Sequence, residues 1–226
     1  MEIVLLDNIE VEIDGKEFLQ TLKIEDDDDL TGEALALLEE GENLGKPKAM
    51  YGMAYIDARG DDWVAAEGIR FSSRILSVNV REAYRLFPYV ATCGTELDEW
   101  AKSLQDPLEK FWADTLCEIA LRKAFKKMNE DFEKHFKPGK TAVMNPGSLA
   151  DWPLSEQKQL FALLGDRIGE TGIQLTDSFL MIPAKSMSGI RFPLELNFEN
   201  CMLCPREDCP GRRAQYDEKL FVQRYG

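Results

Sequence analysis

A cluster of cysteines near the end of the chain is the pattern best suited to metal or thiol chemistry. Three of the five cysteines lie within nine residues, at Cys201, Cys204 and Cys209. A C-x2-C-x4-C spacing suits thiolates that converge on one metal, so it predicts zinc or an iron–sulfur cluster held by these residues. The fourth ligand would have to be Cys93, Cys117, His135, a carboxylate or an exogenous group.

Two other interpretations of these cysteines stay open. Arginines at positions 206, 212 and 213 stand close by in the sequence and would favour reactive thiolates. The thiols could then act in redox chemistry or bind a metal that another protein carries. They could also be incidental free cysteines.

Nucleophilic and histidine-based catalysis finds little support in the sequence. The chain has one histidine, His135, so Ser-His-Asp and multi-histidine chemistry would depend on it alone. It stands near the end of a predicted helix, where a surface role is expected. Cys93 precedes Gly94 at the end of a predicted strand and has no obvious base, so a buried free thiol is expected there.

Two loops rich in glycine, proline and small residues suit the close approach of a ligand. One covers residues 145–158 and begins Asn145-Pro-Gly-Ser148. The other covers residues 178–193 and contains Ser186-Met-Ser-Gly-Ile-Arg191. Glycine and proline permit tight backbone turns, and small side chains leave backbone groups accessible.

The composition sets limits on the class of protein. The chain has 226 residues, 44% of them hydrophobic, which is enough for a sizeable core. The formal net charge of −14 repels nucleic acid and anionic lipid, and no apolar run is long enough to span a membrane. The first residues are acidic where a signal peptide would be basic, so we expect a cytoplasmic protein without nucleic-acid or membrane partners.

Turn and cap signals predict the elements that must position these loops. Residues 9–19 are typical of a hairpin with a type I′ turn at Asp14-Gly15, and Asp26–Asp29 are typical of a solvated turn before a helix that Gly41 ends. Asp106 followed by proline predicts the start of a long helix. The expected strands are 49–58, 63–66, 69–71, 75–78, 89–94, 141–144 and 172–175, and the expected helices are 33–40, 80–86, 95–104, 107–136, 155–164 and 214–226.

The order of the motifs resembles a known family. Pro146-Gly147, then Pro153-Leu-Ser-Glu-Gln-Lys158, a short apolar helix, Gly172–Pro183 and Ser186-Met-Ser-Gly189 follow one another as in the reactivation domain of cobalamin-dependent methionine synthase. The chain looks like the free-standing form of that domain found in thermophilic and anaerobic bacteria. The similarity is specific over about 141–195 and co-linear over about 89–136.

The resemblance implies both a fold and a function. The implied fold is α+β and C-shaped, with a twisted antiparallel sheet and helices packed on it, in a core at 49–198 between an N-terminal extension at 1–48 and a cysteine-rich tail at 199–226. The implied function is docking on a corrinoid protein, where S-adenosylmethionine and an electron from a flavodoxin- or ferredoxin-type reductant remethylate inactive cob(II)alamin. The implied cofactor-binding residues are Asn145, Pro146, Gly147, Ser148, Ser188, Gly189, Ile190 and Arg191.

Several side chains depart from the family pattern. Val143 stands where the family has an arginine, and Ser148 and Arg191 stand where it has tyrosines. The arginine suited to a ligand carboxylate is therefore absent from its usual place, and Arg191 is a candidate replacement. Two alternatives to a reactivation factor stay open: a metal- or iron–sulfur-binding redox protein that serves a corrinoid methyltransferase, and a purely structural interaction module.

Overall fold

The computed structural model describes residues 1–25, 29–209 and 211–225. Numbered in chain order, the strands are β1 (Glu2–Leu6), β2 (Lys48–Arg59), β3 (Trp63–Ala66), β4 (Ile69–Ser72), β5 (Arg85–Thr92), β6 (Thr141–Met144), β7 (Gln174–Leu175), β8 (Met181–Ile182) and β9 (Ser186–Pro193). The helices are α1 (Gly15–Leu22), α2 (Thr31–Leu44), α3 (Arg74–Asn79), α4 (Thr95–Ser103), α5 (Pro107–Phe136), α6 (Gln157–Leu164) and α7 (Glu218–Leu220).

An antiparallel sheet of seven strands forms the frame of the protein. Its strand order is β4-β3-β2-β5-β9-β6, and β1 pairs with β2 beside β3. The long strand β2 pairs with β5 on one edge and with both β1 and β3 on the other. Strand β9 lies between β5 and β6, so the second glycine-containing loop of the sequence is held inside the sheet.

Both faces of the sheet are covered, because alternate residues of its central strands enter two different cores. In β5, Phe87, Tyr89 and Ala91 pack with α1, α2, α4 and α5. Leu86 and Val90 point the other way and pack with α3, α6 and the C-terminal residues Phe198, Leu203 and Tyr225. A strand that is buried on both faces is almost continuously apolar, as the sequence of β5 is.

The long central helix is confirmed as predicted. Asp106 caps α5 by accepting hydrogen bonds from the backbone amides of Leu108 (2.7 Å) and Glu109 (3.2 Å), and Pro107 occupies its first turn. The helix runs for 30 residues and ends at Lys137, which has a left-handed backbone. The described residues include no helix that is long and apolar enough to cross a bilayer.

The predicted N-terminal hairpin is wrong. Asp14 does not begin a turn but caps α1, because its carboxylate accepts the amides of Lys16 (2.8 Å) and Glu17 (3.2 Å). Phe18, Leu19 and Leu22 then form a buried stripe on that helix. Aspartate before glycine favours both a type I′ turn and a helix start, and the apolar spacing that follows decides between them.

The helix predicted at 33–40 is longer than expected. It runs from Thr31 to Leu44, and Gly41, the predicted cap, lies inside it against Leu116 and Trp100. A glycine there allows α2 to approach α5 closely, which local sequence signals do not reveal. Of the acidic run, Asp26–Asp28 lie outside the described residues.

The assignments at 75–78 and 80–86 are also wrong. Ser73 accepts the amide of Leu76 and caps a short helix, α3, where a strand was predicted. Strand β5 then begins at Arg85 and includes Pro88. Proline is tolerated because the pairing with β2 is interrupted there, between Tyr51–Tyr89 and Ala54–Leu86.

Smaller differences occur near the end of the chain. The strand predicted at 172–175 is shorter and lies at 174–175, and α6 begins at Gln157 without a side-chain cap from Ser155. The helix predicted at 214–226 is reduced to α7, and a π-helical turn continues it to Tyr225. The division into 1–48, 49–198 and 199–226 stays a prediction. The buried apolar residues of the first segment belong to the core on the α5 side of the sheet, and those of the last segment belong to the core on the α6 side.

Gly94 allows a test of the junction between β5 and α4. It has a φ of +95°, and a Cβ there would lie 2.4 Å from the backbone oxygen of Lys46. Gly94→Ala should therefore lower the free energy of unfolding by about 3 kcal/mol or more, measured by urea denaturation. Gly68→Ala is the matched control, because its φ is +78° with no neighbour within 4 Å, and it should cost only about 1 kcal/mol. Equal losses would contradict this packing.

Candidate functional site

The two glycine-containing loops meet at the side chain of Asn145. Its Nδ2 donates to the hydroxyl of Tyr89 on β5 (2.8 Å) and to the backbone oxygen of Ser188 on β9 (2.8 Å). Burial raises the pKa of Tyr89 to about 12, against the opposing effects of the Asn145 hydrogen bond and the charges of Arg191 and Arg213. Tyr89 is therefore a neutral hydroxyl at physiological pH.

Helix α6 is tied to the same place. The Ser188 hydroxyl donates to Gln157 Oε1 (2.6 Å), and Gln157 Nε2 donates to the backbone oxygen of Phe179 (2.9 Å). Both side chains are buried, so these hydrogen bonds are shielded from water. One chain of hydrogen bonds thus fixes β9, the start of α6 and the loop before β8 relative to Asn145.

Gly189 is required by the contacts of this cluster. It pairs with Tyr89 across the strands, and a Cβ at Gly189 would lie 2.5 Å from the Tyr89 hydroxyl and 2.6 Å from Asn145 Nδ2. A larger residue would separate the two groups that form the central hydrogen bond. Gly189, which was predicted to allow the close approach of a ligand, is therefore also needed for packing inside the protein.

The Pro146-Gly147-Ser148 turn is the accessible part of the site. Gly147 has a φ of +83°, and its amide donates to the backbone oxygen of Trp152 (2.8 Å). The Ser148 amide donates to the backbone oxygen of Asn145 (3.1 Å). Pro146 is buried, whereas Gly147 and Ser148 are exposed. These bonds hold the turn rigid and present its tip to solvent.

The remaining predicted binding residues lie farther inside. Ile190 is fully buried in the core on the α6 side of the sheet. Arg191 points to the opposite face, where it bonds Asn129 and forms an ion pair with Glu133 (3.5 Å), both on α5. It also donates to Thr141 Oγ1 on β6 (3.1 Å).

The contacts of Arg191 define an anchor for the long helix. Its guanidinium also lies 4.9 Å from the ring centre of Phe132 on α5. Burial lowers the pKa of Arg191, and electrostatic interactions with Tyr89 and Glu133 partly offset this effect. With these partners inside the protein, Arg191 is placed to hold α5 on the sheet. Its binding of a ligand carboxylate stays a prediction.

The C-terminal cysteines lie on a segment that an arginine holds together. Arg212 donates to the backbone oxygens of Cys201 (3.2 Å), Cys204 (3.0 Å) and Ala214 (3.0 Å), and also contacts that of Arg206. All three thiols are free. Among the described residues, no three histidine, cysteine or acidic side chains come together as a metal site. Metal binding at Cys201, Cys204 and Cys209 stays a prediction.

The other reactive side chains lie away from this site. His135 contacts Glu2 (2.8 Å) at the protein surface. Cys93 and Cys117 are both buried, and hydrogen bonding between them together with burial raises the pKa of Cys93. A separate cleft of about 690 Å³ lies at the end of α3, between Val78 and Leu194.

Sequence reasoning missed three residues of the cluster: Tyr89, Gln157 and Asn200. Gln157 is the one polar residue among the buried positions of α6, which a helical projection of 157–164 could have revealed. Tyr89 faces Gly189 only because β5 and β9 are neighbours in one register, and no local signal gives that pairing. Asn200 comes from the tail, far away in sequence.

The comparisons with known proteins support the fold. No family model matches the chain, and no curated protein matches it. The chain has the α+β fold of a methionine synthase reactivation domain. A crystal structure of the MetH reactivation domain bound to AdoHcy is similar to it with a TM-score of 0.63 and 17% identity, over 88% of this chain and 81% of that one. At this identity the similarity establishes the fold, and the predicted fold class is confirmed.

The role of Arg191 as an anchor can be tested by removing its charge while keeping its length. Arg191→Met should lower the free energy of unfolding by about 2–3 kcal/mol, because Asn129 and Glu133 lose a part-buried partner. The control is Arg122→Met on α5, whose exposed pairing with Glu118 should contribute less than about 0.5 kcal/mol. If both variants had wild-type stability in urea denaturation, Arg191 would not be an anchor.

Proposed function

We propose that this chain is an accessory factor for a cobalamin-dependent methionine synthase and that it binds S-adenosylmethionine. The observation that supports this most directly is the fold, which it shares over most of its length with a reactivation domain solved with AdoHcy. AdoHcy is what remains of S-adenosylmethionine once its methyl group has been transferred. A protein that binds one has the shape to bind the other.

The proposed ligand site lies between the 145–148 turn and β9. Two loops that are distant in sequence meet there, and the hydrogen bonds of Asn145, Ser188 and Gln157 fix their geometry. A preorganised site costs a ligand less ordering when it binds. Gly147 and Ser148 are exposed at its edge, so a ligand and a partner protein can reach them.

The proposed reaction occurs on the cobalamin of the partner protein. Cob(II)alamin takes one electron from a flavodoxin- or ferredoxin-type reductant and receives the methyl group of S-adenosylmethionine. The bond from sulfur to methyl breaks, the bond from cobalt to carbon forms, and AdoHcy is left. This chain, acting as a separate cytoplasmic protein, would bind and orient the sulfonium compound for methyl transfer to the partner's cobalamin.

An exposed apolar segment next to the site is the proposed docking surface for the corrinoid protein. Leu180 and Ile182 are 56% and 44% exposed. Leu180 precedes β8, directly after the Phe179 carbonyl that Gln157 bonds, and Ile182 ends the strand. Exposed apolar side chains that lie together often mark interaction surfaces. The net charge of −14 would favour a partner with a basic rim.

The alternative function is a redox protein with zinc or an iron–sulfur cluster at Cys201, Cys204 and Cys209. The arrangement of the described thiols does not favour it. Metal in stoichiometric amount in anaerobically purified protein would support it. A Cys201→Ser, Cys204→Ser double variant should then lose that metal.

Calorimetric titration of the full chain with AdoHcy tests the proposal. We expect saturable binding with a Kd in the micromolar range, or about −8 kcal/mol. Ser148→Trp should weaken binding at least about tenfold, because an indole on the exposed turn blocks the approach. Ala150→Trp is the matched control on the same exposed loop and should bind as the wild type does.

Two results would count against the proposed function. One is the absence of binding heat at millimolar AdoHcy, both alone and with the corrinoid module of a methionine synthase. The other is equal weakening by Ser148→Trp and Ala150→Trp, which would place the ligand elsewhere.

A further inference from the structure

A buried, unpartnered oxygen stands beside the candidate site. Asn200 begins a short turn after β9 and is only 5% exposed. Its Nδ2 donates to Asn145 Oδ1 (3.4 Å), but within the described residues its own Oδ1 has no hydrogen-bond partner. Buried acceptors are nearly always paired, so this one needs an explanation.

The neighbouring side chains cannot satisfy this oxygen. Both hydrogens of Asn145 Nδ2 are used by Tyr89 and by the Ser188 backbone oxygen. Exchanging the nitrogen and oxygen of Asn200 would place its oxygen against Asn145 Oδ1, where two acceptors would repel each other. No donor among the described residues lies within hydrogen-bond distance of this oxygen, so it is free to accept a hydrogen bond from a ligand.

A positive charge lies near the same cluster. Arg213 acts on the Tyr89 hydroxyl through its charge, and its guanidinium forms an ion pair with Glu199 (3.0 Å), the residue before Asn200. The Arg213 side chain is 54% exposed, so this ion pair is weak and can be exchanged for another carboxylate. Its backbone amide donates to Cys201 Sγ (3.4 Å), one residue beyond Asn200.

The segment that carries both residues is held in a defined shape. Arg212 donates to the backbone oxygens of Cys201, Cys204 and Ala214. These bonds tie Cys201, Cys204 and Ala214 to one guanidinium, in the segment that follows Asn200 and includes Arg213. Leu203 packs into the core beneath the loop. The segment thus leads from Asn200, which bonds Asn145, to Arg213, whose backbone amide bonds Cys201.

We propose that Asn200 and Arg213 bind the amino-acid end of S-adenosylmethionine or AdoHcy. The ligand ammonium group donates to Asn200 Oδ1, and the ligand carboxylate accepts from the Arg213 guanidinium in place of Glu199. This inference rests on the proposed function and adds to it the residues that recognise this end of the ligand.

The proposal has a consequence for how the ligand enters. Asn200 Oδ1 is shielded from solvent, so the 200–203 turn must open to admit the ammonium group and then close over it. The adenosyl group would remain with the 145–148 turn and β9. The proposal assigns the carboxylate to Arg213 rather than to Arg191, whose partners within the protein lie on α5 and β6.

Comparison of two ligands tests these roles. AdoHcy has the amino-acid group, whereas 5′-methylthioadenosine has the same thioether and adenosine without it. Asn200→Ala and Arg213→Ala should each weaken AdoHcy binding about tenfold or more. Arg213→Ala should leave 5′-methylthioadenosine binding unchanged, and Asn200→Ala should weaken it far less than it weakens AdoHcy binding, since Asn200 also bonds Asn145. Arg206→Ala is the control: it lies in the same loop, and only its backbone oxygen contacts Arg212, so both affinities should stay at the wild-type level.

The outcomes separate this inference from the proposed function. If Arg213→Ala and Asn200→Ala weaken both ligands equally, or neither, the two residues do not recognise the amino-acid end and the inference is overturned. If the wild type binds neither ligand, the proposed function itself is wrong. Because Arg213 is half-exposed, Arg213→Ala remains informative even if Asn200→Ala does not fold.

Discussion

The amide group of Asn145 is the contact on which the rest of the site depends. Its two hydrogens connect the turn after β6 to the Tyr89 hydroxyl on β5 and to the backbone of Ser188 on β9. Because the group is largely shielded from water, leaving either acceptor unpaired would cost about 1–3 kcal/mol. The two hydrogen bonds thus favour one arrangement of residues 145, 89 and 188, and a side chain at position 189 would collide with it.

The same constraint explains how the surrounding elements are placed. Ser188 and Gln157 extend the hydrogen bonds to α6 on one face of the sheet, and Arg191, three residues farther along β9, extends to α5 on the other. The C-terminal tail is linked to the same cluster by the hydrogen bond from Asn200 to Asn145. A single strand therefore positions both helical layers around the exposed tip of Gly147 and Ser148.

The amino-acid sequence correctly predicted those parts of the structure that depend on local signals. Asp106-Pro107 gave the start of α5, and the order of the Pro-Gly and Ser-Gly motifs gave the fold, which the reactivation-domain structure confirms. Where local signals fit two different elements, as at Asp14-Gly15 and in residues 75–86, the sequence-based prediction was wrong. Tertiary packing decides there which element forms. The partners of Arg191 and Asn145 depend on strand register and on the path of the tail, which a single sequence does not contain.

The measurement that tests the central claim most directly is amide hydrogen exchange of the full chain with and without AdoHcy. The account predicts added protection in 144–148 and 186–191, the two segments joined through Asn145, and unchanged exchange in β3 and β4, which lie at the far edge of the sheet. Protection confined to other regions, such as the cleft between Val78 and Leu194, would contradict the account.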